Sequence, residues 1–258
     1  MKVIVTAGGT SEKIDSVRSI TNSATGRLGS LVAEGFLRKL PEDGNKVYYL
    51  CPDSAVRPKK SDRRLEIVPV CDTDSLQEQI RRIMSENRID AVVHSMAVSD
   101  YKTFHVTTAD SLAHDICEKC FQTCIDKEKL YDTVRKSILE SQIDNKSKIS
   151  SDIEHPIIVL GKTPKIIGMV KDLNPNTVLV GFKLLSGVSR EILVETAWRL
   201  LLKNKCDFVL ANDTSSISSN RHDGILIDEN KNCTQVSGKE AIAAAIVNAV
   251  LCKTGVLK

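Results

Sequence analysis

The sequence predicts an α/β fold: a doubly wound, mainly parallel sheet with helices on both faces. Three observations carry this. Short β-branched apolar runs, each closed by Gly, Asn, Asp or Pro, recur along the chain, as strands covered on both faces do. Segments of helical period separate them, which is the alternation of a parallel sheet. The 258 residues are 41% hydrophobic and 27% charged, so the chain can bury a large core without disulfide staples.

Taken in order, the first strand is expected over residues 3–6. A helix follows over 28–40, with Leu28, Leu31, Val32, Gly35 and Phe36 on one stripe. Strands are expected over 46–51 and 65–70, a helix over 75–86 and a strand over 91–95. Residues 102–148 interrupt the rhythm: they are polar, helical in character and without a clear strand. Residues 157–160 form a further strand, paired outside the main sheet. The rhythm then resumes with a strand over 177–182, a helix over 190–203 and a strand over 207–211. A polar loop over 215–223, a strand over 224–228, a turn at 230–232 and a helix over 239–251 complete the chain. No repeat or low-complexity tract is present, and residues 1–258 read as a single domain.

Charge excludes one class of function. With 36 basic and 33 acidic residues the net charge is +3, too balanced for a general nucleic-acid binder and compatible with an anionic small substrate. No apolar run approaches a membrane span, and Met1 leads straight into a strand without a leader signal. A cytoplasmic location is therefore expected, with the eight cysteines as thiols. Cys117, Cys120 and Cys124 share a helix face at i, i+3, i+7. They lack the second pair or histidines of a zinc site, so core cysteines are expected.

Four constellations carry chemistry. Gly8, Gly9 and Thr10 follow the first strand, where glycines admit close backbone approach to a ligand. Asn22, Ser23, Thr25 and Gly26 precede the first helix, whose N-terminal N–H groups suit a phosphate, although Ser23 or Thr25 could serve as an N-cap alone. Ala97 and Asp100 follow the strand over 91–95, where a carboxylate can accept from a ribose hydroxyl or an exocyclic amine. Cations form the fourth group: Lys148, Lys162, Lys165, and the i, i+4 pair Arg199 and Lys203. A dinucleotide fingerprint is missing, because no third glycine follows Gly8 and Gly9 and the acid near the second strand, Asp53, lies beyond Pro52. That speaks against an NAD(P)-dependent reductase. A non-catalytic nucleotide-sensing module is the other alternative.

In order, TAGGTSEKIDSVRSITNSATGRLG, MAVSDY, KISS, LGKTPKII, VLVGFKLL and LLKNKCDFVLANDTS resemble the motifs of phosphopantothenoylcysteine synthetases. The resemblance covers most of the chain and is closest to the stand-alone form. It implies a Rossmann-like sheet with a small dimerisation flap, a homodimer, and a strap and flap within residues 148–170. It implies a ligase of coenzyme A biosynthesis that joins 4′-phosphopantothenate to L-cysteine. A nucleoside triphosphate, CTP or ATP, with Mg2+ would form an acyl-nucleotidyl intermediate and release pyrophosphate. By motif, Asn22 is implied at the acyl intermediate and Lys148 on a mobile strap. Ala97, Asp100, Pro164, Lys165, Ile166, Ile167, Phe182 and Lys203 are implied at the nucleotide. Arg199 stands where the family usually has lysine, and Met96 where alanine is common. The resemblance names no magnesium ligands. The flavin-dependent decarboxylase domain fused to bifunctional relatives is expected to be absent.

Overall fold

A computed structural model describes residues 1–59, 61–121, 127–216 and 222–257. In chain order the elements are β1 (Lys2–Thr6), β2 (Ser11–Lys13), β3 (Ser19–Thr21), α1 (Arg27–Lys39), β4 (Lys46–Cys51), β5 (Leu65–Pro69), α2 (Thr73–Glu86) and β6 (Ala91–His94). Next come β7 (Tyr101–Thr108), α3 (Ala109–Phe121), α4 (Lys127–Glu140), β8 (Pro156–Lys162), α5 (Ile166–Leu173), β9 (Val178–Leu185) and α6 (Arg190–Asn204). The chain ends with β10 (Phe208–Asp213), a 3-10 turn (Thr214–Ser216), β11 (Asp223–Asp228), β12 (Cys233–Ser237) and α7 (Lys239–Lys253). It divides into two compact units. The larger is Met1–Thr10, Asn22–Val98 and Lys165–Lys258; the smaller is Ser11–Thr21 and Ser99–Pro164.

The larger unit is the doubly wound sheet that the sequence predicts. Its order is β12-β11-β10-β9-β6-β1-β4-β5, with β11 antiparallel to both of its neighbours, β10 and β12, and every other pairing parallel. The alternation of a strand sends successive side chains to opposite faces. Val3 and Val5 of β1 join the core beneath α1 and α7, while Ile4 joins the core beneath α2, α5 and α6. β4 divides likewise: Val47, Tyr49 and Cys51 on one face, Tyr48 and Leu50 on the other. On α1, Gly35 has a packing role: a Cβ there would lie 2.9 Å from Val247 of α7, so its absence lets the two helices approach.

Helix ends are set by local chemistry. Asp72 caps α2 by accepting from Ser75 N at 2.8 Å, and Ser75 Oγ accepts from Asp72 N in return. This box starts α2 at Thr73, two residues ahead of the predicted 75. The buried Arg64 guanidinium caps the other end of α1, donating to Leu37 O and Leu40 O, each at 2.6 Å. Asp62 holds Arg64 in place by a 2.6 Å ion pair.

The smaller unit holds the β2–β3 hairpin, an antiparallel β7–β8 ribbon, α3 and α4. Residues 157–160 do pair outside the main sheet, as part of β8. The segment expected to be helical without a strand instead opens on the eight-residue β7. Its Thr103, Val106, Thr107 and Thr108 are β-branched and fit a pleated surface, and polar content masked that preference. The core reading of the cysteines also fails: Cys117 is exposed, Cys120 is half-buried, and α3 has no fully buried residue. Cys124 lies outside the described residues, as does much of the loop expected over 215–223. No helix among the described residues is long and apolar enough to cross a membrane.

Candidate functional site

The site in the larger unit begins where β1 and β6, adjacent and parallel, reach their carboxyl ends. Ala97 N donates to Gly8 O at 2.9 Å and Thr10 N donates to Ala97 O at 3.1 Å, carrying the pairing one step beyond the strands. Asn22 N donates to Thr10 O at 3.1 Å. The two glycines are needed for different reasons. Gly8 has φ +85°, a left-handed conformation that a Cβ disfavours. At Gly9 the reason is space, since a Cβ would stand 2.1 Å from Asn22 O. Gly8, Gly9, Thr10, Asn22 and Ala97 thus form one group held through main-chain atoms.

The N-terminus of α1 completes this group. Gly26, left-handed at φ 77°, is the N-cap residue; it makes no side-chain cap bond, and the first turn has no acidic residue. Ser23 is exposed, and Thr25 Oγ1 only reaches Arg27 N at 3.4 Å, so neither hydroxyl is a proper cap. An uncapped helix start presents N–H groups and positive dipole character to an anion. Gly26 abuts Gly8: a Cβ on it would lie 3.0 Å from Gly8 N and 3.1 Å from Ala55 Cβ. Tyr49 supports this turn from β4. Its hydroxyl donates to Val56 O at 2.6 Å, and Val56 N donates to Thr25 O at 2.9 Å.

A buried histidine lies at the same strand ends. Met96 N donates to Thr6 Oγ1 at 3.2 Å, and Thr6 Oγ1 lies 2.9 Å from His94 Nδ1. The Thr6 hydroxyl thus links the Met96 main chain to the imidazole, and the tautomer of His94 sets which of Oγ1 and Nδ1 donates. Burial pushes the imidazole down from 6.5 to about 4. The folded pKa lies below the unfolded one. The contribution to stability is therefore complete above pH 6.5 and is lost as pH falls to about 4. The loss is on the order of 3 kcal/mol. Urea midpoints at pH 7 and pH 4.5 should show this fall in the wild type, and a smaller one in His94→Gln.

The remaining predicted residues of the larger unit differ in kind. Lys165 is the N-cap residue of α5 and makes no side-chain cap bond there. Ile166 is buried and Ile167 half-buried in the core beneath α5 and α6, with Ile167 facing Gly181 of β9. Phe182, next in β9, is half-buried against the opposite core. Arg199 and Lys203 are exposed on α6, where Arg199 Nε bonds Glu195 at 3.0 Å. In the smaller unit, Thr163 N donates to Asp100 O at 3.1 Å, which sets Asp100 beside the residue preceding Pro164. Lys148 is exposed there, directly before the buried Ile149.

Sequence reasoning missed two carboxylates that organise turns. Asp213, at the end of β10, accepts from Ser215 Oγ at 2.6 Å, Val188 N at 3.0 Å, Ser215 N at 2.8 Å and Gly187 N at 3.1 Å. The Ser215 hydroxyl first, and then these N–H groups, hold its carboxyl well below the usual range. It lines a cavity of about 220 Å³ with Val188, Arg190, Leu193 and Gln235, to which no predicted site residue contributes. Asp15, in the smaller unit, is the other. An Asp or Ser within the resembling motifs was the available signal, but which main chain each would hold is not written in the sequence.

The chain matches the family described as the DNA/pantothenate metabolism flavoprotein C-terminal domain over residues 1–118 and 139–253. It is 27% identical over 227 residues to the Coenzyme A biosynthesis bifunctional protein CoaBC of Thermococcus kodakarensis, a match covering 88% of this chain and 44% of that one. The chain thus spans less than half the length of that relative. Among solved structures, the DNA/pantothenate metabolism flavoprotein of Streptococcus pneumoniae superposes with a TM-score of 0.77 at 35% identity, covering 98% of this chain and 99% of that one. A Cab2 mutant in complex with phosphopantothenate-cysteine shares the fold, with a TM-score of 0.66 at 16% identity over 98% of this chain and 86% of that one. The match of the family over both ends and the sheet of this chain is decisive: the chain belongs to the DNA/pantothenate metabolism flavoprotein C-terminal domain family.

Proposed function

We propose that this chain is a phosphopantothenate–cysteine ligase acting in coenzyme A biosynthesis. One observation carries the reading: the amide-lined turn at Gly8 and Gly9 abuts the uncapped N-terminus of α1, with Asn22 and Ala97 bonded to the same backbone. That is a cradle for a phosphate group with a side-chain amide beside it. The motifs that resemble the synthetases and the kinship to a coenzyme A biosynthesis protein support the substrate assignment.

The chemistry has two steps. A carboxylate is a poor acyl donor because oxide is its leaving group. In the first step the substrate carboxylate attacks the α-phosphorus of the nucleotide, and the bond to pyrophosphate breaks. In the second, the cysteine amine attacks the acyl carbon of the mixed anhydride, the nucleoside monophosphate leaves, and the amine gives up a proton. Negative charge develops on phosphate oxygens in both. The N–H groups of α1 and the turn stabilise it, with Lys148 as the principal cation. Asn22 donates from its side-chain amide to the acyl phosphate, and Asp100 accepts from the nucleotide. Phe182 lies against the base, and Ile166 and Ile167 belong to the turn that follows Pro164 and Lys165 at the start of α5. Pro164, Lys165, Arg199 and Lys203 complete the nucleotide contacts.

Among the described residues no group of three His, Cys, Asp or Glu side chains converges as a metal cage. Mg2+ would therefore be held mainly by the triphosphate oxygens and water, its ordinary habit with nucleotides. There it supplies counter-charge. The β7–β8 ribbon leaves Tyr101, Ile158 and Leu160 exposed on one face, and this apolar surface is our choice for the contact of a homodimer.

A pyrophosphate-release assay tests the reading. Phosphopantothenate with CTP, and separately with ATP, should release pyrophosphate on the scale of the enzyme concentration. Adding cysteine second should convert this burst to steady turnover. No pyrophosphate with either nucleotide would reject the ligase assignment, and the ratio of the two rates assigns the base.

A further inference from the structure

Within the smaller unit, Lys148 is exposed but the chain beside it is tied down. Ile149 is 5% exposed, and both of its main-chain polar groups are taken by one turn of the β2–β3 hairpin. Ile149 N donates to Asp15 Oδ2 at 3.1 Å, and Arg18 donates from a terminal guanidinium nitrogen to Ile149 O at 2.7 Å. Asp15 and Arg18 also bond each other, with Arg18 Nε reaching Asp15 Oδ2 at 2.9 Å. A third tether lies just upstream, where Asn145 Nδ2 donates to Ile14 O at 3.0 Å. Residues 146–148 are therefore held at both ends by residues 14–18.

The two Asp15 oxygens divide the work. Oδ1 accepts from Val17 N at 2.8 Å and Arg18 N at 2.7 Å, which shapes its own turn. Oδ2 faces Arg18 and Ile149. Burial alone would raise this carboxyl. The N–H groups of Arg18, Val17 and Ile149, with the guanidinium, hold it well below the usual carboxylate range instead. A charged, fully bonded carboxylate in that position is a rigid support.

We propose that Asp15 and Arg18 are positioning residues for Lys148: they grip the main chain of Ile149 from both sides and so fix where the strap lysine starts. The proposal rests on the ligase reading for its catalytic consequence and on the hydrogen bonds alone for the clamp. Ordering the neighbouring backbone in advance lowers the entropy lost when the lysine meets a developing charge.

Asp15→Asn is the selective test. With the amide oxygen retained toward Val17 and Arg18 N, the amide N–H groups face the donors of Ile149 and Arg18, so the strap contact is lost while the turn persists. Arg18→Lys is the second variant, removing the bond to Ile149 O while keeping the charge. Two readouts apply to the full chain: trypsin cleavage of the Lys148–Ile149 bond, followed by mass spectrometry, and steady-state pyrophosphate release. Both variants should raise cleavage about tenfold and lower kcat about ten- to a hundredfold, with KM for phosphopantothenate and nucleotide within about twofold of wild type. Unchanged cleavage would overturn the clamp. Faster cleavage with unchanged kcat, or a raised KM with kcat intact, would overturn the positioning role. Should Asp15→Asn melt early, Arg18→Lys decides. A wild type that releases no pyrophosphate rejects the ligase reading, and the cleavage arm still decides the clamp.

Discussion

Gly9→Ala is expected to lower kcat/KM for pyrophosphate release by at least about a hundredfold, the cost of displacing a reacting group by about 1 Å. The added methyl would stand 2.1 Å from Asn22 O and 2.9 Å from Asn22 Cβ. The first of these is a carbonyl that already accepts from Ala24 N, so it has no rotamer into which to retreat. The Asn22 backbone must move, and with it the Thr10–Asn22 bond and the side-chain amide. A stability loss of about 1–3 kcal/mol accompanies this strain, read as a shifted guanidinium midpoint. Initial rates with saturating phosphopantothenate, measured on variant that remains folded at the assay temperature, separate the two effects. Wild-type rates in that variant would mean that Asn22 does not take part. Gly8 offers a comparison, because its clash is with Pro52 and Ala55 side-chain atoms, while its φ adds a backbone penalty of its own.

Lys148→Ala is expected to slow the nucleotidyl-transfer step by about 10²–10³-fold, the size of effect seen when a preorganised partner of a developing oxyanion is removed. Binding should change far less, because the triphosphate keeps the turn amides and the start of α1. The measurement is single-turnover pyrophosphate release by rapid quench, beside the nucleotide Kd by calorimetry. Lys148→Arg keeps the charge but not the compact ammonium, and should recover part of the rate. Near-normal single-turnover release in Lys148→Ala would remove this lysine from the mechanism. The effect is expected to be larger than that of Asp15→Asn, since one removes the cation and the other only loosens its footing.

How much of this was legible in the residues divides along a physical line. The parallel strands were legible because a strand covered on both faces is apolar throughout. Val3, Ile4 and Val5 announce β1 even though they serve two different cores. β7 was not legible, because its lysine, threonines and histidine dilute the apolar signal and its pairing partner, β8, is distant in sequence. β2 and β3 have three residues each and lie inside a motif that reads as a loop. For the site, a glycine pair after the first strand has few explanations, so the turn stood out. The specific demand on Gly9 did not, since it comes from Asn22 folding back across it. Asp15 and Arg18 were invisible for a similar reason. Their partner is the main chain of Ile149, and main chain carries no sequence signature. The cysteine error is instructive in the same way: spacing puts Cys117 and Cys120 on one face of α3, but periodicity does not say whether anything covers that face.

α3 contributes no fully buried residue and α4 contributes only Ser137. Neither helix therefore anchors the interior, and substitutions on them forfeit little free energy. The family match lapses over 119–138, which includes the end of α3 and most of α4. Light packing and the gap in the family match coincide there, so α3 and α4 are where length and surface chemistry can change at little cost to the interior.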